Sequence, residues 1–327
     1  MNLTRLSPQE IAGTLLVSSS LAYIFASTLL LAFKRLVLKE KSRTSFSSSH
    51  DIFISIAAIA CIICLLYGLF IEPYQLDVTH TKLFSPKITT GSVRVALISD
   101  LHCEKTIRLE EELPAVIAAE KPDIIVFTGD ALNEKQGLDV FQKCMTATAK
   151  IAPTYAVDGN HDVRQFPNIK LYPGTGVIQL NCKTIEQNVR GNIISVTGAP
   201  VDKEGSIKVL VAALKDNTYN ILLHHFPATI LLLKTPGDEQ LNHSKIDLLC
   251  AGHTHGGQIC LPFYGAIITH SGTSKKYESG FYQVGKVALY VNRGIGMDGG
   301  MSPRIRFLAK PEVTIFDITA DKQAEEK

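Results

Sequence analysis

Five short motifs in this chain set carboxylate, amide and imidazole side chains where they can hold metal ions. They are Asp100–Leu101–His102, Gly129–Asp130, Gly159–Asn160–His161–Asp162, His224–His225–Phe226–Pro227 and Gly252–His253–Thr254–His255. In the first, a carboxylate and an imidazole two residues apart can point the same way from an extended segment or its terminal loop. In the second, glycine permits a tight turn and a close backbone approach. Each motif alone is ordinary, because a lone histidine is more often structural than a ligand. Five of them in one chain are not. Oxygen and nitrogen donors without thiolates suit hard to intermediate divalent ions such as manganese, magnesium, iron or zinc. A metal centre of this kind needs no serine or cysteine nucleophile, and Cys103 reads as a buried or lining residue.

The motifs share a position relative to the elements around them. From Gly91 onward, short apolar runs alternate with amphipathic stretches, the pattern of an α/β fold. Strands are expected over residues 93–99, 124–128, 154–157, 193–197, 209–214, 221–223, 246–250, 287–291 and 313–318. Helices are expected over 106–119 and 138–150, with Pro114 starting, kinking or splitting the first. Asp100, Asp130, Asn160, His225 and His253 each fall just past one of these strands. In an α/β architecture such strand ends converge on one crevice, the usual place for a site.

Taken in order, DxH, GD, GNHD, a later histidine and GHTH resemble the calcineurin-like metallophosphoesterases over about residues 93–318. The resemblance implies a four-layer α/β/β/α sandwich with a dinuclear centre at its strand ends. It implies that Asp100, His102 and His255 bind one ion, that Asn160, His225 and His253 bind the other, and that Asp130 bridges them. Mn2+ is the expected ion, with Mg2+, Fe2+ and Zn2+ as alternatives. His161 then stands beside the substrate as a catalytic residue, paired with Asp162 or Asp100. In related enzymes the ligand commonly sits two before the proline, which selects His225 and leaves His224 as the alternative. The implied chemistry is in-line attack of an activated water on phosphorus, with His161 steadying the growing charge or the leaving oxygen.

The longer run GHTHGGQ at residues 252–258, with Pro262 and residues 292–296 after it, narrows the resemblance to the bacterial membrane-associated branch. The paired apolar runs at the N-terminus and the chain length narrow it to the chlamydial-type UDP-2,3-diacylglucosamine pyrophosphatases. That implies hydrolysis of a lipid-linked nucleotide of lipid A biosynthesis to UMP and 2,3-diacylglucosamine 1-phosphate. Another phospholipid or cell-envelope phosphodiester is the alternative substrate. Arg164, Lys275 and Arg293 are candidate diphosphate contacts, with Lys276 and Arg304 behind them. Phe166, Leu171, Tyr172, Phe263, Tyr264, Ile267 and Ile268 are candidates for an acyl groove or for ordinary packing.

Residues 11–33 and 52–71 carry no charge. As helices, each is long enough to cross a hydrocarbon layer about 30 Å thick. Arg5 is offset by Glu10 and a second apolar run follows, which argues against a cleaved signal sequence. The expected organisation is a membrane hairpin and linker over 1–90 and a metallophosphoesterase domain over 91–327. A formal charge of +2 argues against a dedicated nucleic-acid surface. The expected partners are the lipid-linked nucleotide and the bilayer, with no obligate protein partner evident. Of seven cysteines, Cys61 and Cys64 fall in the second apolar run and the other five are scattered, which speaks against a disulfide scaffold and for a reducing compartment.

Two arguments about sidedness conflict. Between the apolar runs, Lys34, Arg35, Lys39, Lys41 and Arg43 face Glu40 and Asp51, a bias that puts this loop in the cytoplasm and the catalytic domain outside. A UDP-linked biosynthetic substrate puts the domain in the cytoplasm. The expectation follows the substrate: a bacterial inner-membrane protein with its catalytic domain cytoplasmic.

Overall fold

The computed structural model describes residues 6–36, 45–235, 237, 240–269, 273, 275–299 and 303–320. Two long helices come first, α1 (Pro8–Leu36) and α2 (Ser45–Phe70). A capping box starts α1: the Ser7 N–H donates to Glu10 Oε2 at 2.9 Å, and the Glu10 N–H donates to Ser7 Oγ at 3.3 Å. Both helices are long and apolar enough to cross a membrane, and only 0% and 11% of their most apolar windows is buried against the rest of the chain. Lys39, Lys41 and Arg43 of the basic loop lie outside the described residues.

The strands that follow build two mixed six-stranded sheets. The first contains β1 (Asp77–Phe84), β2 (Ser92–Ile98), β3 (Ile124–Phe127), β4 (Thr154–Ala156) and β5 (Ile178–Gln179). The second contains β6 (Lys183–Val189), β7 (Asn192–Gly198), β8 (Tyr219–Leu223) and β9 (Leu248–Ala251). After a small antiparallel hairpin of β10 (Cys260–Leu261) and β11 (Gly265–Ala266), β12 (Gly280–Val284) and β13 (Val287–Val291) complete that second sheet. The last strand, β14 (Glu312–Thr319), returns to the first sheet and lies between β1 and β2. Strands β2 to β5 run parallel, as do β7, β8, β9 and β13.

Alternation along the strands explains the layering. Val93, Val95 and Leu97 of β2 point between the sheets, where they meet Val196, Ile221, Leu223 and Leu248. Ala96 and Ile98 point outward onto α3 (Leu113–Glu120) and α4 (Leu138–Ala149), through Leu113, Ile117, Phe141 and Met145. A third cluster covers the far face of the second sheet with Ile207 and Ile230. Three apolar layers between four structural ones are the expected α/β/β/α sandwich. Strands buried on both faces read as near-continuous apolar runs, which is why the sequence shows them well.

Three expectations are corrected. Residues 106–119 are not one helix: α3 begins at Leu113, with Pro114 in its first turn, where a missing N–H costs nothing. Residues 209–214 are not a strand. They belong largely to α6 (Ile207–Ala212), the helix after the short α5 (Asn160–Arg164), and Val209 is 72% exposed. The stretch 72–92 is not a linker, since β1 pairs in parallel register with β14 from Asp77↔Glu312 to Phe84↔Thr319. The catalytic sheet therefore begins ahead of the boundary expected near Gly91.

Candidate metal centre

The C-terminal ends of β2, β3 and β4 face those of β8, β9 and β13, and the motifs occupy the loops between them. Asp100, His102, Asp130, His253 and His255 all have left-handed backbone, with φ of 49°, 44°, 59°, 71° and 52°. Such conformations cost about 1–3 kcal/mol each and persist only where surrounding contacts enforce them. Here the loops lock one another: the Asp100 N–H donates to the Gly129 carbonyl at 2.9 Å and the His102 N–H to that of Asp130 at 3.0 Å. Two glycines are required by crowding. A Cβ at Gly159 would strike the Asp130 carboxylate, and one at Gly252 would strike that of Asp100.

The donors gather into two trios, Asp100–His102–His255 and Asp130–His225–His253, each with its ligand atoms within 4.8 Å of one another. Asp130 faces both trios, its Oδ2 lying 3.2 Å from His225 Nε2 and 3.7 Å from His102 Nε2. His102 Nδ1 sits 2.8 Å from Asn133 Oδ1, and His225 Nδ1 sits 2.9 Å from the Thr128 carbonyl. Each ring therefore donates from Nδ1 and turns the Nε2 lone pair inward, the usual arrangement of a metal-binding imidazole. Asn160 Oδ1 is buried with no hydrogen-bond partner among the described residues. A buried polar atom left unpaired is costly, and a divalent cation satisfies it. The donor set thus fits metal.

The charges follow the same geometry. Burial pushes His102 down to about 4 and lowers His255 well below its ordinary value, so both imidazoles are neutral and able to ligate. Burial lifts the Asp100 carboxyl to about 6. Burial also opposes ionisation of Asp130 and His225, but each outweighs it for the other. The His225 charge holds Asp130 well below the usual carboxylate range, and Asp130 raises His225 to about 9.

His224 is equally buried but turned away, its Nδ1 accepting from the Phe226 N–H at 3.1 Å and the Thr229 hydroxyl at 2.6 Å. The cluster therefore takes His225. His161 Nε2 lies 3.7 Å from Asp298 Oδ1, so its carboxylate neighbour is Asp298 rather than Asp162 or Asp100. Asp162 does different work: its carboxylate accepts the N–H groups of Asp130, Ala131 and Gly159 at 2.8, 2.9 and 2.8 Å, stapling two motif loops together.

A cavity of roughly 110 Å3 opens beside the trios, lined by Asp130, Asn160, His161, His253 and His255 and also by Gln258, Ile268, Thr269 and Asp298. Gln258 stands in the GHTHGGQ run. Thr269 and Asp298 carry no motif and follow no strand, so sequence reasoning had no handle on them. Arg164, Lys275 and Arg293 are not among the described lining residues. Arg293 is held by Asp77 at 2.8 Å and Glu312 at 3.2 Å, Lys275 by Glu278 and the Ala266 carbonyl, and Arg164 is exposed on α5. Phe166, Leu171 and Tyr172 pack in the core beneath α4, whereas Phe263 is fully exposed.

The first long helix grips a wall of this cavity, and the second holds the segment next to it. Glu10 Oε1 accepts from the N–H and the hydroxyl of Thr269 at 2.9 and 3.0 Å. The Arg306 N–H donates to the Gly68 carbonyl at 3.0 Å, and Glu72, just after α2, accepts the N–H groups of Leu308 and Ala309. From there the Phe307 N–H reaches the Gln258 carbonyl at 2.8 Å.

The sequence profile of the family described as calcineurin-like phosphoesterase matches residues 93–257. Over 271 residues, the chain is 31% identical to a Bacillus subtilis protein named uncharacterized metallophosphoesterase YkuE, spanning 77% of this chain and 88% of the relative. It is 24% identical over 256 residues to phosphodiesterase YaeI of Escherichia coli, spanning 77% and 92% of the two chains. A second Bacillus subtilis metallophosphoesterase, YkoQ, is 29% identical over 236 residues, spanning 68% and 82%.

Proposed function

The chain belongs to the calcineurin-like phosphoesterase family of metal-binding hydrolases, and on that premise we propose that it is a membrane-anchored enzyme that cleaves UDP-2,3-diacylglucosamine at its diphosphate. The products are UMP and 2,3-diacylglucosamine 1-phosphate. The observation that carries this reading is the hold of α1 on the cavity-lining Thr269 through Glu10, with Gly68 of α2 and Glu72 after it holding the adjoining residues 306–309. With both helices in a bilayer, the cavity stands at the leaflet surface, where an acylated nucleotide presents its diphosphate.

Two divalent ions, Mn2+ by preference, would be held by Asp100, His102 and His255 and by Asn160, His225 and His253, with Asp130 between them. Such ions supply charge neutralisation at the phosphoryl oxygens and acidify an attacking water. The chain's own residues do the rest. His161 lines the cavity beside Asp298, whose carboxylate lies 3.7 Å from Nε2 and orients the ring near a leaving oxygen. Asp162 keeps the loops of Asp130 and Asn160 in register. Gln258 and Thr269 form part of the cavity wall.

Purified full-length protein given UDP-2,3-diacylglucosamine in H2(18)O should release UMP carrying the label. Absence of UMP together with rapid cleavage of another membrane phosphodiester would replace this reading with the second one. The name of the Escherichia coli relative, a phosphodiesterase, favours that alternative.

A further inference from the structure

The turn between β10 and β11 carries an aromatic ring with no cover. Phe263 is 111% exposed. A single exposed phenylalanine needs no explanation in itself, but the neighbours of this one fix its position. Tyr264 donates its hydroxyl to the Gln9 carbonyl in the first turn of α1, and its ring occupies the space a side chain at Gly13 would need. The Lys275 ammonium lies 4.3 Å from the centre of the same ring. The hairpin is thus clamped to α1 at residues 9–13. Directly beyond that level α1 turns apolar residues outward, beginning with Leu15 and Leu16, each 65% exposed. Just past β11, Ile268 and Thr269 line the cavity.

We propose that the β10–β11 hairpin is a further membrane-contacting element, with Phe263 seated in a lipid leaflet at the boundary between headgroups and acyl chains. Aromatic side chains favour that boundary, where an apolar ring is buried and the adjoining backbone stays wet. Its clamp to α1 sets the depth of the ring, and the ring holds the mouth of the cavity against the leaflet. The inference rests on reading α1 and α2 as membrane spans and the substrate as lipid-linked, and its test separates from both.

The chain contains no tryptophan, so Phe263→Trp installs a unique fluorophore. Phe84→Trp is the control: Phe84 pairs with Thr319, which pairs with Ser92 at the start of β2, the pole opposite the cavity. Full-length protein is reconstituted in phosphatidylcholine vesicles brominated near the top of the acyl chains. Phe263→Trp emission should shift to the blue and fall at least about twofold, while that of Phe84→Trp stays unchanged. Equal quenching of the two variants overturns the proposal. As a second measurement, Phe263→Ser should raise the KM for vesicle-borne UDP-2,3-diacylglucosamine about tenfold relative to the KM for water-soluble bis(4-nitrophenyl) phosphate. That is the order expected for withdrawing one phenylalanine from an apolar environment. A ratio equal to that of the parent also overturns it. Quenching without turnover of the lipid nucleotide supports the hairpin's role and sinks the substrate assignment instead.

Discussion

At the scale of single residues, the pair His224–His225 separates two kinds of buried histidine. His225 hands its Nδ1 proton to a backbone carbonyl and turns Nε2 into the centre, whereas His224 spends Nδ1 on its own loop. His225→Ala should strip metal and activity together. His224→Ala should keep its metal and lose about 1–3 kcal/mol of stability, because the Phe226 N–H and the Thr229 hydroxyl lose their acceptor. Metal analysis and urea denaturation of both variants check this, and the reverse pattern would exchange the roles. The raised value of His225 adds a pH dependence. Its ordinary value is 6.5 and its folded, metal-free value about 9. The proton therefore stabilises the metal-free fold fully below 6.5, and that contribution is lost as pH rises through 9. Metal must displace this proton, so between those values binding releases one proton and apparent affinity rises by up to about tenfold per pH unit. Calorimetry in buffers of different ionisation enthalpy reads the proton directly, and a flat affinity between pH 7 and 9 would contradict the pairing with Asp130.

At the scale of elements, the centre depends on loops that hold one another rather than on any one strand. Ile295 and Gly296, past β13, donate to the Ser99 and Asp100 carbonyls past β2, so the two sheets are tied across the site. Arg306, 0% exposed, donates to the carbonyls of Arg293, Gly294, Gly296 and Ala309 and keeps that segment in place. Burial brings its guanidinium down to about 9. On the other wall, Glu10 does comparable work from α1. Glu10→Ala removes the carboxylate that accepts the N–H and hydroxyl of Thr269 in a buried place. It should cost about 1–3 kcal/mol of stability and lower turnover while metal content stays at the parent level. Turnover equal to the parent would show that α1 is only an anchor. The misread helix α6 teaches the same lesson about context. Its residues 207, 210 and 211, with Leu214 just beyond its end, recur at helical spacing toward the second sheet, but the run is short and rich in valine, so composition alone pointed to a strand.

At the scale of the whole molecule, the start of α1 and the end of α2 both contact the catalytic domain, so a hairpin that crosses a membrane returns to the side it left. The expectation is that the N-terminus and the catalytic domain share the cytoplasmic side, against the charge bias of the connecting loop. Protease added to intact spheroplasts should leave the domain whole and should digest it after lysis. Digestion in intact spheroplasts would put the domain outside and weaken the nucleotide-linked substrate.

The candidate metal donors were legible in the sequence because their motifs follow strands buried on both faces. Such strands advertise themselves as apolar runs, and the glycines that admit close loop contacts mark the turns. Asp100, His102, Asp130, His253, His255 and one of the pair His224–His225 therefore stand out from order and spacing, whereas the four-layer sandwich followed from the family resemblance those motifs carry. Tertiary structure decided what depends on distant partners. Strand β1 is half polar and gains its place only by pairing with β14, more than two hundred residues away. Asp298 acquires its neighbour His161, and Thr269 its neighbour Glu10, through contacts that are likewise distant in the sequence. The choice between His224 and His225 turns on which ring nitrogen finds a local acceptor or donor, and adjacent residues in a sequence carry no sign of which way their side chains face.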